Sequence, residues 1–235
     1  MHDAMIRSMR KYGWKYPDPP GKYDIKFQRW LTSYGADHYN SCDNGSAMRV
    51  SPCGLLATSL EESLELAHIT TEVSHNTNEA IKGAMAVAAA VYLAKTGSSK
   101  EEIRQYIQNE FYPMNRPLDE LRLTYQYDKS CQGSIPQAIL AFLESRSYED
   151  AIRNAISLGG DANTMATIAG SIAWSYYRYR NRGELTADMK KLREQAEKYM
   201  PKEFMETEKL FKVFCWKTAK QANQENKRFI ELVSG

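Results

Sequence analysis

The sequence lacks the features that mark several classes of protein. Its longest apolar run, at about 84–94, is roughly half of the ~20 residues that a membrane span needs. The first residues carry charge and no apolar core, which is untypical of a secretory signal peptide. The formal net charge of +2 is too small to indicate nucleic-acid or membrane binding. We therefore expect a soluble, cytoplasmic protein that binds neither nucleic acid nor membrane.

Cysteine is also scarce. The four cysteines lie far apart and include no Cys-x-x-Cys pair, which favours reduced thiols over a disulfide framework. A chain of 235 residues with 43% hydrophobic and 26% charged residues can bury a core without disulfides or metals as staples. No Pro/Gly-rich linker divides it. We expect one domain over residues 1–235.

Strand-like alternation is absent, and nearly every periodic segment predicts a helix. The alanine-rich segment Glu79–Lys95 has small residues on all sides, which predicts a central helix with close neighbours. Ser147–Asp150 has the form of a capping box before a helix. A further helix, ending at Leu143, is expected to open near Gly133, with Pro136 in its first turn. The fold class is predicted to be all-α.

The segment Gly159–Thr164 brings together oxygen-bearing side chains after two glycines. Asp161, Asn163 and Thr164 offer the oxygen ligands that Mg²⁺ prefers. The same residues also suit an N-cap after a glycine C-cap, which is common at helix junctions. The residue chemistry alone leaves both interpretations open.

Three other polar loops precede predicted helices. Each has an ordinary explanation as a turn or a helix cap, for example by Thr77 or Asn78 after His75. Helix N-termini gathered around one cleft would instead favour an anionic ligand such as a phosphate. The candidate ligand-binding residues of these loops are Asn44, Gly45, Ser46, His75, Gln132, Gly133 and Ser134.

These four loops, in this order, resemble the ADP-ribosylglycohydrolase family. The strings that carry the likeness are NGSAMRVSP at Asn44–Pro52, SHN at Ser74–Asn76, SCQGSIP at Ser130–Pro136 and GGDANTMATIAGSIA at Gly159–Ala173. The resemblance runs from about residue 3 to 180 and is less clear over the last fifty residues. It implies an orthogonal, all-α multi-helix bundle with a central cleft. The implied reaction is the Mg²⁺-dependent hydrolysis of ADP-ribose from modified proteins or small molecules.

The resemblance also assigns roles to residues. It implies that Asp161 is catalytic and that Asp161, Asn163 and Thr164 form half of a site for two Mg²⁺ ions. The 44–46 loop, His75 and the 132–134 loop would line an ADP-ribose pocket. A paired Mg²⁺ site can orient ribose hydroxyls and activate a water molecule.

The chain departs from the family pattern in ways that affect the metal site. The Thr-Asp-Asp motif that supplies the other half of that site is absent, and no Asp-Asp pair occurs anywhere. Asn163 stands where the family usually has Asp, and Asp43 replaces a glycine beside the pocket, where it could repel a phosphate. With Asp161 as the single carboxylate, we expect at most one weakly bound Mg²⁺ and impaired catalysis.

The domain is also expected to be incomplete at its N-terminus. The uncovered surface, with Glu79–Lys95 as the candidate element, would self-associate or bind a partner chain. Three roles remain open: an enzyme, an inactive module that binds ADP-ribose or a nucleotide, and a truncated product. The sequence does not select the linkage, whether to arginine, serine or a small molecule. Tyr125 and Tyr127 could stack on an adenine or belong to the core.

Overall fold

The computed structural model describes residues 2–19, 22–33 and 39–215. Over these ranges the chain forms helices and no sheet, and one isolated antiparallel bridge joins Asp43 and Ser130. The α-helices are α1 (His2–Lys15), α2 (Ile25–Thr32), α3 (Ser51–Leu56), α4 (Leu60–Glu72), α5 (Asn78–Thr96), α6 (Lys100–Glu110), α7 (Leu118–Thr124), α8 (Cys131–Leu143), α9 (Tyr148–Ser157), α10 (Ala162–Arg180) and α11 (Ala187–Glu197). A 3-10 turn (Ala47–Arg49) precedes α3, and a further helical stretch covers 202–215. The predicted all-α class is confirmed.

Helix α5 forms the centre of the bundle. Helices α3, α4, α8 and α10 pack around it. Its small side chains let the neighbouring backbones approach closely, so that a side chain at Gly54 of α3 would begin 2.5 Å from the carbonyl oxygen of Ala88. The fully buried hydrophobic residues of α5 are Ala80, Ala84, Ala86, Val87, Ala88, Ala89, Ala90, Val91 and Ala94.

This burial corrects one expectation and confirms another. The prediction that Glu79–Lys95 is a central helix with close neighbours is confirmed. The prediction that the same segment is the candidate for an uncovered apolar surface was wrong, because its alanines and valines are fully buried, although Ile81, Met85, Tyr92 and Leu93 are partly exposed. Alanine-rich composition indicated the close approach of neighbours but carried no information about which face was covered.

Side-chain caps define most of the helix starts. Ser147 caps α9 by accepting a hydrogen bond from the amide of Asp150, as its motif predicted. Helix α8 begins at Cys131, earlier than expected, because the hydroxyl of Ser130 accepts from the amide of Gly133. Pro136 consequently lies inside α8 rather than in its first turn. Helices α3 and α7 were not predicted; both are shorter than eight residues and show little periodicity.

A smaller apolar cluster supports the side of the bundle near the end of α4. Ile6 of α1 and the α2 residues Trp30 and Leu31 pack together with Val73, which follows α4. Tyr39 packs against this cluster and also places its ring 5.4 Å from that of His75. Within the described ranges, no helix is both long and apolar enough to cross a membrane.

The close packing of α3 on α5 predicts a position-specific effect of adding one methyl group. Gly54→Ala should lower the free energy of unfolding by roughly 1–3 kcal/mol, because the methyl would overlap a backbone carbonyl that cannot move independently. Gly170→Ala in α10 is the matched control: its methyl would meet Ile152 at 3.4 Å, an ordinary contact, and alanine favours a helix by about 1 kcal/mol over glycine. Urea unfolding of both variants measures the difference. Equal stabilities would contradict the packing of α3 on α5.

Candidate functional site

Asn44 joins three parts of the candidate site through its side-chain amide. Its Nδ2 donates to Ser134 Oγ at 2.9 Å, in the first turns of α8, and to Asp161 Oδ2 at 3.0 Å, at the start of α10. Its backbone amide donates to the carbonyl of Lys129 at 2.9 Å. Asn44 is buried, so its two amide hydrogens must find acceptors, and each finds one on a different helix. Three of the four predicted loops therefore meet at this residue.

The loop that carries Asn44 pairs with the chain just before α8. Asp43 and Ser130 form the antiparallel bridge, and the amide of Cys131 donates to the carbonyl of Cys42 at 3.4 Å. The carboxylate of Asp43 also forms an ion pair with Lys129 Nζ at 2.9 Å, which raises the pKa of Lys129. Because this pairing partly neutralises Asp43, its repulsion of a bound phosphate is weaker than the sequence suggested.

The fourth loop places His75 beside Gly45. The imidazole is 4% exposed, and a side chain at position 45 would begin 3.4 Å from its Nε2 atom. Burial, aided by the charge of Arg49, lowers the pKa of His75 from 6.5 to about 3, so the ring is neutral at pH 7. Thr77, two residues on, caps α5 and also donates to the carbonyl of Ser41. The capping interpretation therefore holds for Thr77, while His75 faces the site.

The three predicted metal ligands at the start of α10 differ in their surroundings. Asp161 occupies the N-cap position but makes no side-chain capping bond; its carboxylate accepts from Asn44 instead. Asn163 is exposed to solvent. Thr164 is 4% exposed and directs its hydroxyl toward the sulfur of Met48 at 3.8 Å. The simple capping interpretation of Asp161 is thus not what the geometry shows.

The donor set can be compared with the needs of a magnesium site. Among residues 2–19, 22–33 and 39–215, no group of three or more His, Cys, Asp or Glu side chains is arranged to hold a metal ion. The predicted ligands contribute one carboxylate, one amide oxygen and one hydroxyl. Mg²⁺ normally needs one or two carboxylates besides substrate phosphates. These three residues therefore do not fit a pair of ions, and the weak single site stays a prediction.

The remaining candidate ligand residues lie at the ends of the same loops. Gln132 is exposed in the first turn of α8, and Gly133 is partly exposed beside it. Ser46 is fully buried, and its hydroxyl has no hydrogen-bond partner among the described residues. A buried hydroxyl in that state is available to a ligand or a water molecule.

Tyr125 and Tyr127 differ in ways that the sequence left open. Tyr125 is half-buried, donates to the carbonyl of Gly133 at 2.9 Å and packs against Gly160, so it braces two site loops. Burial raises its pKa to about 12, which keeps the hydroxyl protonated as a donor. Tyr127 is 69% exposed. The position of Tyr125 favours a packing role over base stacking.

Sequence reasoning missed the residues that support the predicted ones. Arg49 and Ser74 lie within or beside the quoted motifs but received no role, although a charged residue inside an apolar motif could have signalled a buried contact. Arg49 Nη2 donates to Ser74 Oγ, and Ser74 Oγ lies 2.7 Å from His75 Nδ1. Lys129 was missed because its pairing with Asp43 depends on the bridge between two distant loops.

Comparison with known proteins identifies the family. The family model described as ADP-ribosylglycohydrolase matches residues 3–215, which is most of the chain. The chain belongs to the ADP-ribosylglycohydrolase family. The three loops that meet at Asn44 and the loop that places His75 beside Gly45 are the same segments that carry the sequence resemblance.

Individual members of the ADP-ribosylglycohydrolase family match over part of their length. Human ADP-ribosylhydrolase ARH3 is 29% identical over 183 residues, covering 58% of this chain and 50% of that protein. ADP-ribosylarginine hydrolase Tri1 of Pseudomonas putida (strain GB-1) is 29% identical over 150 residues, covering 59% and 39%. A solved ADP-ribosylglycohydrolase-related protein complex superposes with a TM-score of 0.55 at 23% identity, covering 74% of this chain and 63% of that one. The chain thus spans about half the length of the named relatives or less.

The central position of Asn44 predicts a graded loss of stability. Asn44→Ala should lower the free energy of unfolding by about 1–3 kcal/mol, because the buried loop loses both amide donors. Asn44→Asp should cost more at pH 7, since a second carboxylate would face Asp161. Asn163→Ala, at an exposed position of the same site, should stay within about 0.5 kcal/mol of the parent. Chemical denaturation checks the order, and an Asn44→Asp variant as stable as the parent would contradict it.

The depressed pKa of His75 predicts a dependence of stability on pH. The unfolded chain binds a proton near pH 6.5, whereas the folded chain does so only near pH 3, so stability is full above 6.5 and falls as the pH drops below it. Between pH 6.5 and 5 this residue should remove about 2 kcal/mol. His75→Gln should flatten that part of the curve, while His68→Gln, at an exposed site, should not. Identical slopes for all three proteins would contradict the burial of a neutral His75.

Proposed function

We propose that this chain binds ADP-ribose at the candidate site around Asn44 and that the family reaction, hydrolysis of ADP-ribose from modified proteins or small molecules, is impaired in it. The observation that carries the first half of the proposal is the meeting of the 44–46, 130–134 and 161–164 loops at one buried amide. The observation that carries the second half is the single carboxylate, Asp161, in the donor set.

The candidate site offers several groups that suit a ligand with phosphates and ribose hydroxyls. Helix α10 begins there without a side-chain cap, and a helix N-terminus favours anions through its unpaired backbone N–H groups. The hydroxyl of Ser46 is a further group that can hydrogen-bond to a ligand. A diphosphate bound near this terminus would meet a neutral His75 and an Asp43 already paired with Lys129. The electrostatics therefore accommodate two phosphates better than the sequence charge alone suggests.

Asp161, Asn163 and Thr164 are the residues that would hold a single Mg²⁺. Asp161 Oδ2 already accepts a hydrogen bond from Asn44, which leaves the other carboxylate oxygen for an ion. A bound ion would orient ribose hydroxyls and activate a water molecule. With one carboxylate, the residues of this chain neutralise less of the ion's charge than a paired site requires. Weak, single-ion binding and slow hydrolysis are the expected result.

An inactive module that binds ADP-ribose or a nucleotide is the second candidate function. The lone carboxylate favours it, because the binding loops are assembled while the metal ligands are reduced. The names of two relatives, an ADP-ribosylhydrolase and an ADP-ribosylarginine hydrolase, support an ADP-ribosylated substrate for either candidate without choosing its linkage. We propose the cytoplasm as the location, where the chain's thiols would stay reduced.

Calorimetric titration with ADP-ribose, with and without millimolar Mg²⁺, tests the proposal. We expect binding in both conditions and a modest strengthening by Mg²⁺ that Asp161→Ala abolishes. Asn163→Asp restores a second carboxylate and should strengthen the effect of Mg²⁺ by about tenfold, equivalent to about 1.4 kcal/mol. Asn115→Asp, which adds the same charge at an exposed position outside the site loops, should leave the effect unchanged.

The outcomes separate the alternatives. Binding that is indifferent to Mg²⁺ in the parent chain and in Asn163→Asp would favour the inactive module. No binding of ADP-ribose in any condition would overturn both functions. Release of ADP-ribose from an ADP-ribosylated protein at the rate of a family member with complete metal motifs would overturn the claim of impairment.

A further inference from the structure

Arg49 carries a buried positive charge close to the predicted ligand site. Its Nη2 donates to the carbonyl of Thr70 at 3.2 Å and to Ser74 Oγ at 2.7 Å. Thr70 lies in the last turn of α4, where the carbonyl end of the helix favours a cation. Desolvation lowers the pKa of Arg49, which nevertheless stays protonated. The positive charge of Arg49 is therefore held in place beside Ser74, and its electric field reaches the groups that Ser74 contacts.

Ser74 connects this charge to His75. The serine oxygen lies 2.7 Å from His75 Nδ1. Arg49 can only donate, so it takes one of the two lone pairs of the serine oxygen. Either Ser74 donates its single hydroxyl hydrogen to a bare Nδ1, or its oxygen accepts a hydrogen bond from a protonated Nδ1. That choice decides which nitrogen of the imidazole carries its proton.

Two physical arguments favour donation from Ser74 to His75 Nδ1. The serine oxygen already accepts from Arg49, so donation to Nδ1 is the arrangement that also places the hydroxyl hydrogen of Ser74 in a hydrogen bond. The negative end of a neutral imidazole is its unprotonated nitrogen, and Arg49 attracts that end toward Ser74. Both effects leave Nδ1 bare and place the proton on Nε2.

We infer that Arg49 and Ser74 are positioning residues that hold the neutral ring of His75 in its Nε2–H tautomer, so that it presents a hydrogen-bond donor beside Gly45. Gly45 contributes to this arrangement because a side chain there would begin 3.4 Å from Nε2 and occupy the space of an acceptor. If the proposed function is right, the donor meets a phosphate or hydroxyl oxygen of ADP-ribose. His75 then selects an acceptor group of the ligand and does not act as a base.

Nitrogen-15 NMR of the imidazole rings in the full chain tests the tautomer directly. A protonated ring nitrogen and a bare one have widely separated chemical shifts, and His75→Gln identifies the signals of His75 among those of the four histidines. We expect a bare Nδ1 and a protonated Nε2 at pH 7. A protonated Nδ1 in the parent chain would overturn the inference, whether or not the chain binds ADP-ribose.

Variants of Ser74 test whether this residue holds the tautomer of His75. Ser74→Ala removes the hydrogen given to Nδ1, so the shifts of the two nitrogens should move toward each other as both tautomers become populated. Ser74→Thr keeps the hydroxyl and should restore the separation. Ser63→Ala is the matched control, since Ser63 is equally buried on α4 and its hydroxyl has no partner among the described residues. If the two nitrogen-15 chemical shifts of His75 stayed as far apart in Ser74→Ala as in the parent chain, Ser74 would not be the residue that holds the tautomer.

Binding of ADP-ribose links the tautomer to the ligand. Ser74→Ala should weaken binding by about fivefold, the expected loss of one hydrogen bond, whereas Ser63→Ala should not weaken it. The two proposals fail separately. A protein with the Nε2–H tautomer that binds no ADP-ribose would overturn the proposed function alone, and a protein that binds ADP-ribose with Nδ1 protonated would overturn this inference alone.

Discussion

The side chain of Asn44 is the interaction on which the functional end of the molecule depends. A primary amide has two N–H groups, and burial requires both to be satisfied. The structure meets that requirement with oxygens from Ser134 and Asp161, which lie on helices far apart in the chain. Because neither acceptor can move without leaving a buried donor unpaired, the starts of α8 and α10 are held at a defined separation.

The core provides the other constraint, since the loops can meet only if their helices lie close together. Helix α5 achieves this with alanines and valines along its whole length, so that α3, α4, α8 and α10 all contact it. Small side chains shorten the distance between helix backbones. The packing that gives the domain its core therefore also brings the starts of α8 and α10 together at Asn44.

The candidate site contains several groups that suit an anionic ligand but few that suit a metal ion. A helix N-terminus, a buried hydroxyl and a neutral imidazole suit an anionic ligand, and none of them needs a metal ion. Metal-assisted hydrolysis needs carboxylates, of which Asp161 is the one that the predicted ligand set contains. Under the proposed function, the groups that would bind ADP-ribose lie close together, whereas the predicted metal ligands include a single carboxylate.

The sequence by itself determined the fold class and the family, and it predicted the loops of the candidate site. Helical periodicity and the capping motif at Ser147 depend on neighbours within a few residues, which is why those helices were predicted well. Local patterns also misplaced the start of α8 at Gly133. The helix begins at Cys131 because the hydroxyl of Ser130 accepts a hydrogen bond from the amide of Gly133, a contact that the sequence pattern did not reveal.

Only the tertiary structure decided which polar groups lie close together and what surrounds each of them. The pairing of Asp43 with Lys129, the enclosure of α5 and the chain from Arg49 through Ser74 to His75 all join residues from different segments. Burial and electrostatics depend on distances through space, and periodicity along the chain does not encode those distances. The sequence therefore named His75 as a candidate, while the tertiary contacts decided that it is neutral and which way its ring nitrogens face.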